Sequence, residues 1–491
     1  MNLLKRIPDR PLANWLMMLV MAAAIMMLLS RDSYLYLTWP RLDCCYHFMC
    51  GKAWMNGMVP YVDFADSKGP LQWLIYGIGY QLSHYNYHGV FWVSVVVYSF
   101  TFYFLLKTAR IFVECRSQAI LAVLMTSAFI FCPWLHDETC SEDFCMFFTS
   151  LSLWQLCRML YAEHTERDER TAFFAFGISL AGTLLIKYNI TAMCGIFPAI
   201  GLYYLLREHH PVWRPLLACA AGFAALALPF LIYFLIQGNF SAFIQEYFIN
   251  TLQSMSNRFP GVSPFKLMYF VAANLIIGNT HIFVIVLLVF VGSGIIAKGE
   301  KYGVMLLMID LVFLLMVFRS GYFQYYYSSL MGFSIFFNCV LISKLLKNNY
   351  YKYVLCGLTS LAIICFETKT LTSLKYTSFD DEIKTVMYEI EEVLSKKGRN
   401  PLIMATSRDA GHGIMSNALP ACKYWSVQVG ANKMMIDERM RCIKQKRCDF
   451  FIIDEYCKEQ NHYIELMDKY DYSLVYSSKI GEIGHIYIFQ P

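Results

Sequence analysis

Arg41 to Leu82 reads RLDCCYHFMCGKAWMNGMVPYVDFADSKGPLQWLIYGIGYQL. From Asp43 to Met55 the pattern fits a short amphipathic helix lying at a membrane interface. Asn56-Gly57 ends that helix, and Val59-Pro60 turns the chain. A second helix, apolar and aromatic, runs from Gly69 to Leu82. At ~14 residues it is short for a bilayer crossing and suits packing along the membrane surface. Asp43, Asp63, Asp66 and Lys68 therefore stand close to apolar segments. An ionisable group near hydrocarbon is costly and usually faces protein or a cavity.

The chain around this loop is built for a bilayer. Of its 491 residues, 57% are hydrophobic and 16% are charged. A soluble domain runs near 45–50% and about 25%. Disordered, collagen-like and small disulfide-scaffold classes are excluded. A net charge of +5 is too small to imply nucleic acid. Apolar runs long enough to span fall near 11–30, 88–106, 118–135, 143–161, 171–186, 190–206, 214–236, 280–297, 302–318, 325–343 and 351–366. The expected fold is thus a polytopic α-helical membrane protein of about eleven transmembrane helices, with an interfacial helix near 264–278. Met1 to Arg10 lacks the cleavage pattern of a signal peptide, so the first run is expected to act as an anchor.

Loop charge sets the orientation. Sixteen Lys and Arg residues fall in one alternating set of short loops: 1–10, 107–117, 158–170, 207–214, 298–301 and 344–352. Eight fall in the other set. The richer set is expected to be cytoplasmic. Loop 31–87 and the tail 368–491 then face outward from a multi-pass protein of the cell (inner) membrane, with the transmembrane domain occupying 1–367. The tail is charged and alternates short strands at 401–406, 450–454 and 485–489 with helices at 379–396 and 431–445. That order predicts a small extracytoplasmic α/β domain. No internal repeat and no Pro- or Ser-rich linker is present. The chain has 17 cysteines. No C-x-x-C occurs among them, which argues against zinc and thioredoxin-type sites. Most read as small apolar residues in helices. Those near the outer face and in the tail, such as Cys44, Cys140, Cys422 and Cys442, would be free to pair in an oxidising exterior.

A second acidic cluster follows the third run. Asp137, Glu138, Glu142 and Asp143 crowd together in HDETCSEDF, His136 to Phe144. Helix capping explains one or two of these acids, and four ask for more. Lys187 ends a later apolar run at the outer face, where a snorkelling lysine is the plain reading. Arg319 to Leu330 (RSGYFQYYYSSL) forms a later outer turn, whose tyrosines equally fit an interfacial belt.

The succession Asp43, Tyr46, Gly57, Pro60, Tyr61, Asp63, Lys68, Pro70 and Leu71, directly after the first spanning helix, resembles the first outer loop of the membrane-embedded GT-C glycosyltransferases. The matching branch is the bacterial one related to protein O-mannosyltransferases and aminoarabinose and lipopolysaccharide sugar transferases. Ser141 to Phe144 (SEDF) resembles the Thr/Ser-Glu-acid-Phe segment where that family has its second functional carboxylate. The resemblance implies a GT-C-like fold. It also implies a glycosyltransferase that moves a sugar from an isoprenoid-phosphate donor to a glycan, lipid or protein acceptor at the outer face. Asp43 would be the base. Glu142 would position the acceptor or assist, with Asp143 and Asp137 behind it. Lys68, Arg319 and Lys187 would bind phosphate. Tyr61, Asp63, Gln324 and Tyr325 would complete the substrate-binding set, although Gln324 stands where relatives often carry histidine. Lysine and arginine can take a metal's charge role at the phosphate, so no cofactor is required. A divalent metal held by the acidic clusters is the other arrangement. Membrane lipids are further partners. The competing classes are a transporter or flippase of a lipid-linked substrate, and a polysaccharide ligase or polymerase. Against transport, the spanning segments are poor in charges and lack paired interruptions.

Overall fold

The computed structural model describes residues 10–30, 32–33, 42–113, 115–131, 139–253, 261–277, 301–320, 336–337, 339–340, 377–406, 413–427, 431–454, 457, 459–480 and 484–491. Helix α1 spans Pro11–Leu29, with proline at its first turn. After it come α2 (Leu42–Met55), α3 (Pro70–Leu82), α4 (His88–Phe112) and α5 (Arg116–Ile130). Next are α6 (Ser141–Tyr161), α7 (Glu166–Ile186), α8 (Tyr188–Cys194), α9 (Ile196–Arg207) and α10 (Trp213–Ile236). A short α11 (Phe240–Phe243) runs into a π-helix, Ile244–Asn250. Helices α12 (Pro264–Ile277) and α13 (Gly303–Ser320) follow.

Among the described residues, five helical stretches are long and apolar enough to cross a membrane: Pro11–Leu29, His88–Phe112, Glu166–Ile186, Tyr188–Arg207 and Trp213–Ile236. These five fall on runs read from the sequence as spanning. The runs near 280–297 and 351–366, and nearly all of 325–343, lie outside the described residues. Helix α12 falls where an interfacial helix is expected, near 264–278. It carries Phe265, Tyr269, Phe270 and Ile277 exposed, which suits a bilayer-facing surface.

Helix α2 departs from expectation. An interfacial helix keeps one face open, but Cys44 to Cys50, Ala53 and Lys52 are all buried. Two neighbours cause this. Helix α3 crosses it so closely that a Cβ on Gly51 would meet the Gly77 backbone nitrogen at 2.5 Å. The C-terminal region covers the rest, with Trp425 stacked on Tyr46 at 5.1 Å between ring centroids.

The C-terminal region is α/β, as its alternating pattern predicts. Helix α14 (Thr377–Ser395) precedes strand β1 (Leu402–Ala405) and the two-residue β2 (Leu419–Pro420). Helix α15 (Lys433–Lys444), β3 (Phe450–Ile453), α16 (Gln460–Lys469), β4 (Ser473–Ile480) and β5 (Gly484–Gln490) complete it. The sheet order is β2-β1-β3-β5-β4. The first three strands are parallel, and β5 and β4 join antiparallel. Strand β4 escapes a reading by alternation because it lies at the sheet edge with Leu474 and Val475 exposed. The described cysteines are free thiols.

Among the described residues, two hydrophobic cores result. One fills the helical bundle around Phe91, Phe102, Phe173 and Phe197. The other is shared by α2, α3, the end of α10, the π-helix and the sheet, bringing Tyr46, Trp73, Phe234 and Tyr247 together with Ile403, Trp425 and Phe451.

Candidate active site

Two ion pairs meet where α2, α3, α6 and α7 converge. Asp43 lies in the first turn of α2, and its Oδ2 is 3.7 Å from Lys68 Nζ. Glu142 lies in the first turn of α6 and accepts a hydrogen bond from Lys187 Nζ. Both carboxylates thus occupy helix N-termini, where the backbone dipole favours negative charge.

Backbone contacts hold the two pairs side by side. The Gly69 amide, next to Lys68, donates to the Ile186 carbonyl, next to Lys187, at 2.9 Å. A Cβ on Gly69 would lie 2.1 Å from the Leu185 carbonyl oxygen, so only glycine permits this approach. On the other side, Cys44 Sγ donates to the Thr139 carbonyl at 3.1 Å, and Tyr76 donates to the same oxygen at 3.0 Å. The Thr139 amide donates to Asp32 Oδ2 at 2.7 Å. The segment leading into α6 is therefore pinned to α2 and α3.

Lys187 owes its position to an interruption. It is the single residue linking α7 to α8, in extended conformation. Gly201 of α9 lies against Phe173 and Phe176, so α8 and α9 run back antiparallel along α7. Backbone groups released at such a turn must be satisfied away from water. Tyr247 of the π-helix does this, donating to the Leu184 carbonyl at 2.5 Å and accepting from the Tyr188 amide at 3.1 Å. Pi-helical turns are rare and concentrate at functional sites.

The groups differ in access. The Glu142 and Lys187 side chains are 4% and 10% exposed, whereas Asp43 is 32% exposed. Asp143 is committed to structure. Its Oδ1 accepts from Tyr98 at 2.5 Å, and its Oδ2 accepts from the Cys140 amide at 2.6 Å, forming a capping box. Tyr61 is fully buried and donates to the Lys68 carbonyl at 2.9 Å, fixing the backbone that carries Lys68. It holds a left-handed conformation, φ 66°, uncommon for a bulky residue. Burial raises the Tyr61 pKa well above the ordinary phenol value, so it is a hydrogen-bond donor. Asp63 Oδ2 accepts from the Val59 amide at 2.7 Å and closes the turn.

Arg319 sits near the end of α13, and its side chain lies outside the described residues, as do Gln324, Tyr325 and Asp137. Asp32, Glu246 and Tyr247 belong to no motif in the sequence, yet each supports the site. Glu246 accepts from Tyr424 at 2.7 Å, Asn250 at 2.8 Å and Lys423 at 3.1 Å, tying the tail to the π-helix. A lone acid in an aromatic stretch gave no signal of this.

Residues 67–236 match the family model described as dolichyl-phosphate-mannose-protein mannosyltransferase. The match takes in Lys68, Glu142, Asp143 and Lys187. No curated protein matches the chain in sequence. Among solved structures, the fold is similar to ArnT from Cupriavidus metallidurans bound to undecaprenyl phosphate, with TM-score 0.60 and 11% identity over 97% of this chain and 98% of that one. The apo state of the same protein matches with TM-score 0.59 and 10% identity over the same shares. A region matching a mannosyltransferase family model, a fold similar to ArnT along nearly the whole chain and several membrane-length helices characterise this multi-pass membrane protein.

Proposed function

We propose that the chain is a glycosyltransferase that moves a sugar from a polyprenyl-phosphate donor to an acceptor at the outer face of the cell membrane. The observation that carries this is the convergence of Asp43–Lys68 and Glu142–Lys187 beside the Gly69–Ile186 hydrogen bond. The solved ArnT structure with undecaprenyl phosphate supports a lipid-phosphate donor for this chain too.

Transfer from such a donor needs a carboxylate to take or orient the acceptor proton as positive charge develops at the anomeric carbon. It also needs cations at the departing phosphate. Asp43 is the more accessible carboxylate of the two pairs and serves as the base. Lys68 takes the phosphate, with Arg319 as a further ligand and Tyr61 and Asp63 holding the Lys68 loop in shape. Gln324 and Tyr325 belong to the same substrate-binding set. Glu142 holds Lys187 in place at the buried side, and Asp143 caps the helix that presents Glu142. The site faces outward with loop 31–87, and the tail covers it from that side. Lysine and arginine supply the positive charge, so the reaction requires no cofactor.

The test is sugar transfer by purified protein from a polyprenyl-phosphate sugar to an acceptor pool from the same cells. Wild type is expected to transfer, and Asp43→Asn to lose about 100-fold or more, the scale of general-base contributions. Movement of the lipid-linked sugar across vesicles without transfer would overturn the enzyme reading. Wild-type turnover by Asp43→Asn would remove Asp43 from the role of base.

A further inference from the structure

We propose that His164, Glu169 and His210 form a binding site for a divalent transition metal of the zinc class, at the end of the helices opposite Glu142 and Lys187. The placement follows from the chain: Glu142 begins α6 and Lys187 ends α7, whereas His164 follows α6 and Glu169 lies in the first turn of α7. One ligand atom from each residue falls within 4.8 Å of the other two.

Both rings address one carboxylate oxygen. Glu169 is nearly fully buried, and its Oε1 lies 2.5 Å from His210 Nδ1 and 3.6 Å from His164 Nε2. The other nitrogen of His164, Nδ1, is 3.0 Å from the Ala162 carbonyl. A carbonyl only accepts, so Nδ1 carries a hydrogen, and Nε2 is the nitrogen turned toward the Glu169 oxygen. Three ligand atoms thus converge on one small volume, where a positive charge is favoured between the rings and the carboxylate. An imidazole held by a backbone carbonyl through its distal nitrogen is also the usual second-shell support of a metal-binding histidine.

His210 is placed by a Schellman turn. Its amide donates to the Leu205 carbonyl at 2.8 Å, and the His209 amide to Leu206 at 3.3 Å. His209 takes the left-handed position, φ 59°, where glycine is favoured. Two other acids in the first turn of α7 are engaged elsewhere, Asp168 by Arg158 and Glu166 by Arg214. His210 is 40% exposed, leaving an approach for the ion and room for water as a further ligand. Two imidazoles, one carboxylate and an open position suit zinc. Bound there, the metal clamps the α6–α7 loop to the turn between α9 and α10.

The experiment uses the purified full chain, stripped with chelator and titrated with Co²⁺ alone. One equivalent with the absorption of tetrahedral cobalt, displaced by Zn²⁺, is the expected result. His210→Ala is expected to weaken binding by more than the roughly 10–100-fold that loss of an outer-shell partner costs. His210→Cys, keeping a ligand at the half-exposed position, should restore binding and add sulfur-to-cobalt charge transfer. Absence of bound cobalt in wild type overturns the proposal, as does binding unchanged in His210→Ala. So does a chain that binds no cobalt and melts higher at acidic pH, since a proton would then hold the cluster.

Discussion

Glu142 and Lys187 form a pair almost sealed from solvent, and its energetics differ from those of a surface contact. Removing one partner of a buried pair leaves an uncompensated charge and costs roughly 3–5 kcal/mol, whereas replacing both with neutral groups of similar size is often tolerated. Glu142→Ala is therefore expected to lower thermal stability in detergent by that order. Glu142→Gln combined with Lys187→Met should recover most of the stability while transfer stays lost. Recovery of transfer in the double variant would reduce the pair to a structural role. Asp43 and Glu142 were legible as residues because acids are conspicuous beside apolar segments. The division of labour between Glu142 and Asp143 was not. Adjacent helix-start acids look alike in sequence, and only the Tyr98 and Cys140 hydrogen bonds show that Asp143 has both oxygens committed.

At the scale of elements, the site depends on a turn and a close approach. Helix α7 stops at Ile186, one extended residue follows, and α8 starts at Tyr188. Apolar periodicity shows two runs on either side of Lys187, and the observed helices fall within a few residues of them. What periodicity leaves open is that loop residue Gly69 caps the end of α7 through the Ile186 carbonyl. Gly69→Ala must separate the two segments by more than a side chain can absorb, because the obstruction is backbone. Overpacking of this kind costs typically 1–3 kcal/mol. The expected outcome is a folded but less stable protein with transfer reduced at least tenfold, read by melting temperature and turnover on the same sample. Full activity in Gly69→Ala would show that the spacing of the two pairs is not critical. Helix α2 teaches the complementary lesson. Its sequence reads as amphipathic, yet Lys52 is buried, because the covering surface comes from residues more than 350 positions away.

At the scale of the whole molecule, the C-terminal sheet is part of the site's architecture. Lys52 donates to the Gly413 and Ser416 carbonyls, and Glu246 gathers Lys423 and Tyr424. Burial lowers the Lys52 pKa from 10.5 to about 7. The unfolded or undocked lysine thus binds more protons than the docked one between pH 7 and 10.5, so docking strengthens as pH rises through that window. Protection of the tail from limited proteolysis should increase from pH 7 to 9, and Lys52→Met should flatten the dependence. A slope of the opposite sign would contradict burial of an uncharged lysine. Separately, Glu246→Gln removes the charge facing Lys423 and is expected to accelerate tail cleavage and lower transfer together. Unchanged cleavage would mean that the shared core alone holds the tail.

Sequence by itself determined that this chain lives in a bilayer, where its apolar runs lie, that its tail is α/β, and which loop carries scarce charge. Each of those follows from local composition and periodicity, which solvent and lipid read directly. Tertiary structure decided the rest. It chose which acids pair with which lysines, buried α2 on both sides, and left Asp43 more open than Glu142. It also turned two histidines toward one glutamate at the far end. Those outcomes come from side chains brought together across tens to hundreds of residues, and no local pattern records which distant surface will cover a given face.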